Sequence, residues 1–311
     1  MREAIMADEP MDRRSRLLAP PGACDCHIHI FGPRARFHLA AERAYTPTEA
    51  PVEAYRELQC RLGLSRTVVV QPSAYGTDNA CTLDAIARLQ PNACGIAVVD
   101  PDVSDQELER LRNAGIRGLR FSLVVKNALR PEHLEIMASR IQPLGWHIQF
   151  RSTDRDLPEL ASKLQKLPVD VCLDHLGGIP PEAPLTHAAW RALFRLLAGG
   201  QCWVKLSAPY QLSGMPGPGY ADYAPQVSAL AKAAPQRLLW GTNWPHPLVE
   251  NKPDDADLLD SLAEWIPEES LRREILVENP AQLYGFPPAS HTASDGTGVR
   301  IHGDGGRSGL L

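Results

Sequence analysis

The stretch Cys24-Asp25-Cys26-His27-Ile28-His29-Ile30 sets two imidazoles two residues apart in an apolar run. Residues 23–30 alternate in polarity and contain no Gly or Pro, which predicts a short strand. Strand side chains alternate faces, so His27 and His29 point the same way. Two imidazoles on one face near a strand end can grip one metal ion or one polarised oxygen between them. Their company lies further along the chain, in Asp174-His175 and in Asn243 with His246. Each residue also has a structural explanation. His147 and His246, taken singly, read as structural; Asp174 can orient a neighbouring histidine, and Lys205 can pair with a carboxylate. Cys24 and Cys26 read as two core thiols on one strand face rather than a metal pair. Trp203, Trp240 and Trp244 read as core, and His133 and His187 as helix surface.

The elements needed to position these residues follow from periodicity. Short apolar or β-branched runs at 23–30, 67–71, 94–99, 116–121, 146–150, 169–173, 202–206 and 238–241 read as eight strands. A helical pattern follows each, for example 52–62, stopped by Gly63, and 105–114, stopped by Gly115. Such alternation requires a parallel sheet, because a helix must carry the chain back. Eight units predict an α/β fold closed as a (β/α)8 TIM barrel, with a doubly wound open sheet as the alternative. No Gly-x-Gly-x-x-Gly follows an early strand, and phosphate-loop and Gly-x-Ser-x-Gly patterns are missing. In a barrel, strand C-termini share one mouth. That mouth would collect His27 and His29, Ser73, Arg120, Gln149 with Arg151, Asp174 with His175, Lys205, and Asn243 with His246. Structural roles taken one by one leave this convergence of basic and amide groups unexplained.

The chain divides into an N-terminal arm (1–22), the barrel (23–286) and a Gly- and Ser-rich C-terminal tail (287–311) expected to be disordered. The 31–51 segment is long and irregular, as functional loops are. Of 311 residues, 44 % are hydrophobic and 22 % charged, with a net charge of -5. These values suit a globular protein and give no sign of a nucleic-acid or anionic-membrane partner. No apolar run reaches the ~18 residues of a membrane span, and Met1 to Arg16 lack a signal-peptide core. Seven scattered cysteines predict buried free thiols and a cytoplasmic location.

Three motifs together resemble the amidohydrolase superfamily: His27-x-His29, Asp174-His175-Leu176-Gly177, and Trp240-Gly241-Thr242-Asn243-Trp244-Pro245-His246-Pro247. Residues 77–88 and 95–101 are similar to its 2-pyrone-4,6-dicarboxylate lactonase branch, which includes sugar-lactone hydrolases and isomerases. The resemblance covers about residues 22–286. It implies a site at the barrel mouth where His27, His29 and His175 surround the carbonyl of an anionic lactone. Tyr45, Ser73 and Arg120 match pocket positions, Arg151 and Lys126 supply further cations, and His246 joins the substrate-binding set. The general base of the branch is an aspartate after strand 8, and here that position is Asn243. A neutral amide takes no proton from water and gives a divalent ion no negative charge. No cofactor is therefore favoured; if zinc is bound, His27, His29 and His175 are its ligands. Position 178, often arginine in the branch, is Gly178. Three functions follow: a hydrolase opening a carboxylated lactone, a lactone isomerase motivated by Asn243, and an inactive barrel that binds a small acid. With Asn243 in place, His246 or one of the three histidines is the candidate base for hydrolysis.

Overall fold

In a computed structural model of the chain, residues 13–288 are described, except 126, 127, 216 and 218. Eight parallel strands lie in chain order: β1 Cys24–Ile28, β2 Arg66–Val70, β3 Ala93–Ala97, β4 Ile116–Ser122, β5 His147–Arg151, β6 Val171–Leu173, β7 Cys202–Ser207 and β8 Leu238–Gly241. Helices return the chain between them: α1 Val52–Leu62, α2 Ala80–Leu89, α3 Asp105–Asn113, α4 Leu134–Ile141, α5 Leu157–Leu164, α6 Ala188–Ala198 and α7 Ala224–Ala233. After β8 come α8 Asp255–Trp265, α9 Glu269–Arg273, a π turn and α10 Asn279–Tyr284. The chain just past β8 closes the ring on β1: His29 N donates to Trp244 O at 2.7 Å and Asn243 N to His27 O at 2.8 Å. The fold is thus a (β/α)8 barrel. Among the described residues no helix is long and apolar enough to cross a membrane.

Two cores result. Between strands and helices lies a large apolar layer that includes Ile28, Val69, Leu119, Leu173 and Trp240. Inside the barrel, at the N-terminal strand ends, Cys24, Cys26, Val68, Cys94, Cys172, Trp203 and Leu239 pack together, and Tyr284 and Phe286 cover them. The cysteine pair is therefore core. All seven thiols are free; six are buried and Cys60 is exposed.

β1 departs from strict alternation. Its register with β2 slips between Asp25 and Ile28, so one extra residue is accommodated. Alternation alone would turn His27 away from Cys26. The bulge lets Cys24 and Cys26 face the lumen below while His27 and His29 face it above. Asp25 pins the bulge from outside. Its Oδ1 accepts from His27 N at 3.1 Å and Thr242 N at 3.0 Å, and its Oδ2 accepts from Thr242 Oγ1 at 2.6 Å. Burial pushes the Asp25 carboxyl up to about 7 against these bonds. Gly241 permits the close approach, because a Cβ there would lie 2.8 Å from His27 N.

The arm docks where it is described. Ser15 Oγ and Leu17 N donate to Asp260 Oδ1 at 2.6 and 2.9 Å, and Arg13 and Arg16 reach Asp260 Oδ2 at 2.9 and 3.1 Å. Against its own burial, these bonds hold Asp260 down at about 2. Residues 1–12 of the arm and 289–311 of the expected tail lie outside the described residues, as does Lys126.

Candidate active site

The C-terminal strand ends surround a cavity of about 270 Å³ lined by His29, Tyr45, Ser73, Arg120, Arg151, His175, Tyr210 and Asn243, among others. A larger chamber of about 530 Å³ adjoins it across Ser73, Arg120 and Val125. All seven non-glycine residues with positive φ among those described lie in the loops after β6, β7 and β8. They include His175 (50°), Ala208 (49°), Asn243 (64°) and His246 (58°). Left-handed backbone of this kind costs on the order of 1–3 kcal/mol per residue and gathers at functional sites.

Beneath the cavity lies a fully buried polar cluster. Asp174 Oδ1 is 3.2 Å from His27 Nδ1 and 3.5 Å from Lys205 Nζ. Asp174 Oδ2 accepts from Gln149 Nε2 at 3.1 Å and is 3.8 Å from Arg120 Nε. Lys205 Nζ donates to Gln149 Oε1 at 2.6 Å. Burial alone would raise the Asp174 carboxyl, but His27, Lys205 and Arg120 hold it below the usual carboxylate range. Burial, reinforced by Lys205 and Arg120, pushes His27 down to about 3 against the pull of Asp174. Asp174 is therefore the anion and His27 the neutral partner. His27 Nδ1 also lies 3.4 Å from Lys205 Nζ, and the buried Nε2 of His27 has no partner among the described residues.

The other imidazoles are fixed similarly. His29 Nδ1 donates to Val70 O at 2.7 Å, and burial followed by Arg120 pushes its pKa well down. His175 Nδ1 is 2.8 Å from Ser207 Oγ. His27 sits 5.0 Å from His29 and 4.7 Å from His175, ring centre to ring centre. His29 and His175 line the cavity; His27 lies below them with no exposure.

The cationic residues frame the opposite wall. Arg120 Nη1 donates to Gln71 O at 3.0 Å. Arg151 Nη2 donates to Gln211 Oε1, while its buried Nη1 has no partner among the described residues. Burial, countered by Asp174 and reinforced by Arg120, lowers the Arg151 guanidinium to about 10. Tyr45 comes in from the 31–51 loop and hydrogen-bonds Ser73, which partly offsets the rise that burial causes in its pKa.

His246 is not among the residues lining the 270 Å³ cavity but lines a neighbouring one with Tyr45 and Pro247; its Nδ1 faces Tyr210 Oη at 3.0 Å and its Nε2 lies 3.1 Å from Asp255 Oδ1. Of its ring nitrogens only Nδ1 is hydrogen-bonded among the described residues. Nor do His27, His29 and His175 form the set that meets at one point. The group that does is His27, Asp174 and His175, whose ligand atoms lie within 4.8 Å of one another. His29 lies outside that group, its Nδ1 bonded to the Val70 carbonyl. The orphaned His27 Nε2 would suit an ion. Asp174 Oδ1, like His27 Nε2, has no hydrogen-bond partner among the described residues, so this group could hold a divalent cation. The Lys205 ammonium 3.5 Å from Oδ1 and the uncharged Asn243 oppose one there.

Sequence reasoning missed Asp25, Ser207 and Asp255 and gave Tyr210 no chemical role. Asp25 carried a signal, a carboxylate inside an apolar strand. Asp255 carried none, standing among the acidic residues that open α8. The missing arginine at position 178 has a backbone cause. Gly178 has φ +69°, and a Cβ there would stand 2.1 Å from Ser152 O.

A family model described as an amidohydrolase matches residues 24–286. The chain is 37 % identical over 278 residues to a 2-pyrone-4,6-dicarboxylate hydrolase of Comamonas testosteroni, covering 85 % of this chain and 90 % of the relative. It is 31 % identical over 281 residues to a D-galactarolactone isomerase of Agrobacterium fabrum, covering 88 % and 94 %. A crystal structure of a probable 2-pyrone-4,6-dicarboxylic acid hydrolase from Acinetobacter baumannii, with citric acid bound, superposes with a TM-score of 0.77 at 26 % identity, covering 85 % and 100 %. By family match, barrel and motif placement, the chain belongs to the amidohydrolase family.

Proposed function

We propose that this protein opens the ring ester of a carboxylated lactone by attack of water on the carbonyl, without a resident metal. The observation that carries the reading is the pairing of two imidazoles, His29 and His175, with two guanidiniums, Arg120 and Arg151, around one 270 Å³ cavity. The unpartnered Nη1 of Arg151 offers a bond to a substrate carboxylate or sulfonate. One such anion is expected rather than two, because Gly178 excludes a further side chain. With Ser207 Oγ donating to Nδ1, His175 presents Nε2–H to the lactone carbonyl oxygen. The buried Lys205 ammonium and Arg120 add a fixed positive field under the negative charge that develops there. His27 completes the electrostatic floor. The named activities of the relatives support lactone chemistry, and the citrate-bound relative supports an anion pocket. The seven free thiols support a reducing, cytoplasmic location.

A second reading, isomerisation by acyl transfer between ring hydroxyls, is favoured by one residue, Asn243. Transfer between hydroxyls of one substrate needs proton shuttling and no activated water. The two readings separate by product. A pH-indicator screen of pyrone, muconolactone and aldarolactone substrates, with and without added zinc, detects hydrolysis as proton release. NMR on the aldarolactones detects an isomer formed without it. Activity that appears only with zinc would overturn the metal-free site. His29→Ala is expected to lose activity on the order of 100-fold or more, whereas His133→Ala, at a residue that lines neither cavity, is not. Equal losses would remove the mouth as the site.

A further inference from the structure

The mouth lacks a carboxylate at position 243, yet a carboxylate stands two side chains behind it. Asn243 Nδ2 donates to Tyr210 Oη at 2.8 Å. Tyr210 Oη faces His246 Nδ1 at 3.0 Å. His246 Nε2 lies 3.1 Å from Asp255 Oδ1, an ion-pair distance without hydrogen-bond alignment, and neither atom has a hydrogen-bond partner among the described residues. Asp255 is the first residue of α8 and is buried, as is His246. We propose that Tyr210 is the general acid–base of this site, with His246 as its proton store and Asp255 orienting that imidazole, and that Asn243 serves to aim the phenol. The proposal rests on the lactone reading above and assigns the proton transfers that it leaves open.

The hydrogen-bond directions are fixed by elimination. Nε2 of His246 faces a carboxylate, so it carries the proton and Nδ1 is the acceptor. The Tyr210 hydroxyl must then donate to Nδ1. Its oxygen accepts from Asn243 and is also hydrogen-bonded by Gln211, so a proton arriving from the cavity, which Tyr210 lines, takes the lone pair that Gln211 otherwise holds. Burial raises the Tyr210 pKa, which disfavours a phenolate, and the relay avoids one. As water attacks the lactone carbon, its proton passes to Tyr210 Oη while the phenolic proton passes to His246 Nδ1. The imidazolium so formed faces Asp255. When the ring C–O bond breaks, the same proton returns through Tyr210 to the leaving ring oxygen. Lactone and water become a hydroxy acid, whose ionisation releases one proton. Should a substrate hydroxyl replace the water, the same shuttle gives an isomer and no net proton.

Asparagine at 243 has a reason in this scheme. An aspartate there would accept the Tyr210 hydroxyl proton and detach the phenol from His246. It would also supply a base of its own. The two devices are therefore alternatives, and a pair of substitutions tests this. Steady-state kinetics on the lactone turned over by the wild type are compared for Tyr210→Phe, His246→Gln, and each combined with Asn243→Asp. Removal of a general base is expected to lower kcat roughly 100-fold or more, with KM within a few-fold. Asn243→Asp should return at least about 10-fold of that loss in either background, and a smaller gain in the otherwise wild-type chain. A Tyr210→Phe protein with kcat within about threefold of wild type overturns the relay alone. So does a loss that Asn243→Asp fails to relieve in a protein melting with the wild type. Absence of turnover by the wild type on every lactone overturns the lactone reading, and the relay with it.

Discussion

The lumen of this barrel has two halves built on the same eight strands. Toward the N-terminal strand ends it is thiol and hydrocarbon: Cys24, Cys26, Cys94, Cys172, Trp203 and Leu239 under a cover of Tyr284 and Phe286. Two residues further along the strands the same face turns charged. Cys172 is succeeded by Asp174 and Trp203 by Lys205, and both charged groups are fully buried. In β1 the change takes one residue, Cys26 to His27, because the bulge lets neighbours share a face. The halves are thus joined functionally. A dry lower half leaves no water to screen the ions above it, so the field at the mouth is stronger than the same charges would give in solvent. Stability should therefore reside in the lower half and in the charge balance of the upper, and catalysis in the upper alone.

The largest expected effect comes from breaking that balance. Lys205→Met leaves the Asp174 carboxylate buried without its ammonium and should cost about 3–5 kcal/mol of unfolding free energy, read by urea denaturation. Adding Asp174→Asn should recover more than half. A single-variant loss under about 1 kcal/mol would mean that Arg120 suffices and that the pair is dispensable.

Next is acid sensitivity, to which both halves contribute. Burial, reinforced by Lys205, pushes His27 and also His147, which packs edge-on against Tyr284, down to about 3. The unfolded chain takes up these protons near the ordinary value of ~6.5 while the native chain does not, so stability falls as pH falls from about 6.5 toward 3. Each imidazole adds about 1.4 kcal/mol per pH unit to that slope. The depressed Asp174 adds its loss later, below its unfolded value of ~3.9. His147→Gln should reduce the slope between pH 6 and 4 by the share of one group. An unchanged slope would show that His147 is not a neutral buried base.

Arg151→Met is expected to separate affinity from stability. A lost bond to a substrate anion is worth about 1.5–3 kcal/mol, so KM should rise roughly 10- to 100-fold with kcat changed little. Unlike Lys205→Met, it should not destabilise the fold, because it removes a buried guanidinium whose Nη1 lacks a partner. An unchanged KM would leave the cavity without its proposed anion clamp.

The two halves also differ in how far the sequence revealed them. The barrel itself is readable because continuous β-branched runs such as Thr67-Val68-Val69-Val70 alternate with amphipathic helices. His27, His29, His175 and Asn243 stand out as polar residues at strand ends. Periodicity alone does not reveal the β1 bulge, since apolar and polar residues alternate unbroken from Cys24 to Ile30 although the faces they point to shift at His27. The Tyr210–His246–Asp255 chain is equally hidden. Its members lie on the β7 loop, the β8 loop and α8, and only the closed barrel brings them into line. Motif knowledge gave the absence of arginine at 178 as a departure, while only the left-handed backbone against Ser152 explains why no side chain fits.

The smallest expected effect tests whether the lower half is passive. Cys26 Sγ, on the strand just before His27, has a 4.0 Å contact to Cys24 O and a thiol contact to Cys24 in otherwise apolar surroundings. Cys26→Ser puts a stronger hydroxyl dipole there without a close acceptor, which should cost about 1–3 kcal/mol of stability. The Asp25 bonds to Thr242 and to His27 N hold the β1 backbone independently of that side chain, so His27 should stay in place. Melting temperature should then fall while kcat and KM stay within about twofold. A large fall in kcat at unchanged KM would show that the thiol layer transmits its packing through the bulge to the imidazoles. The division of labour between the two halves would then fail at the one strand where they meet.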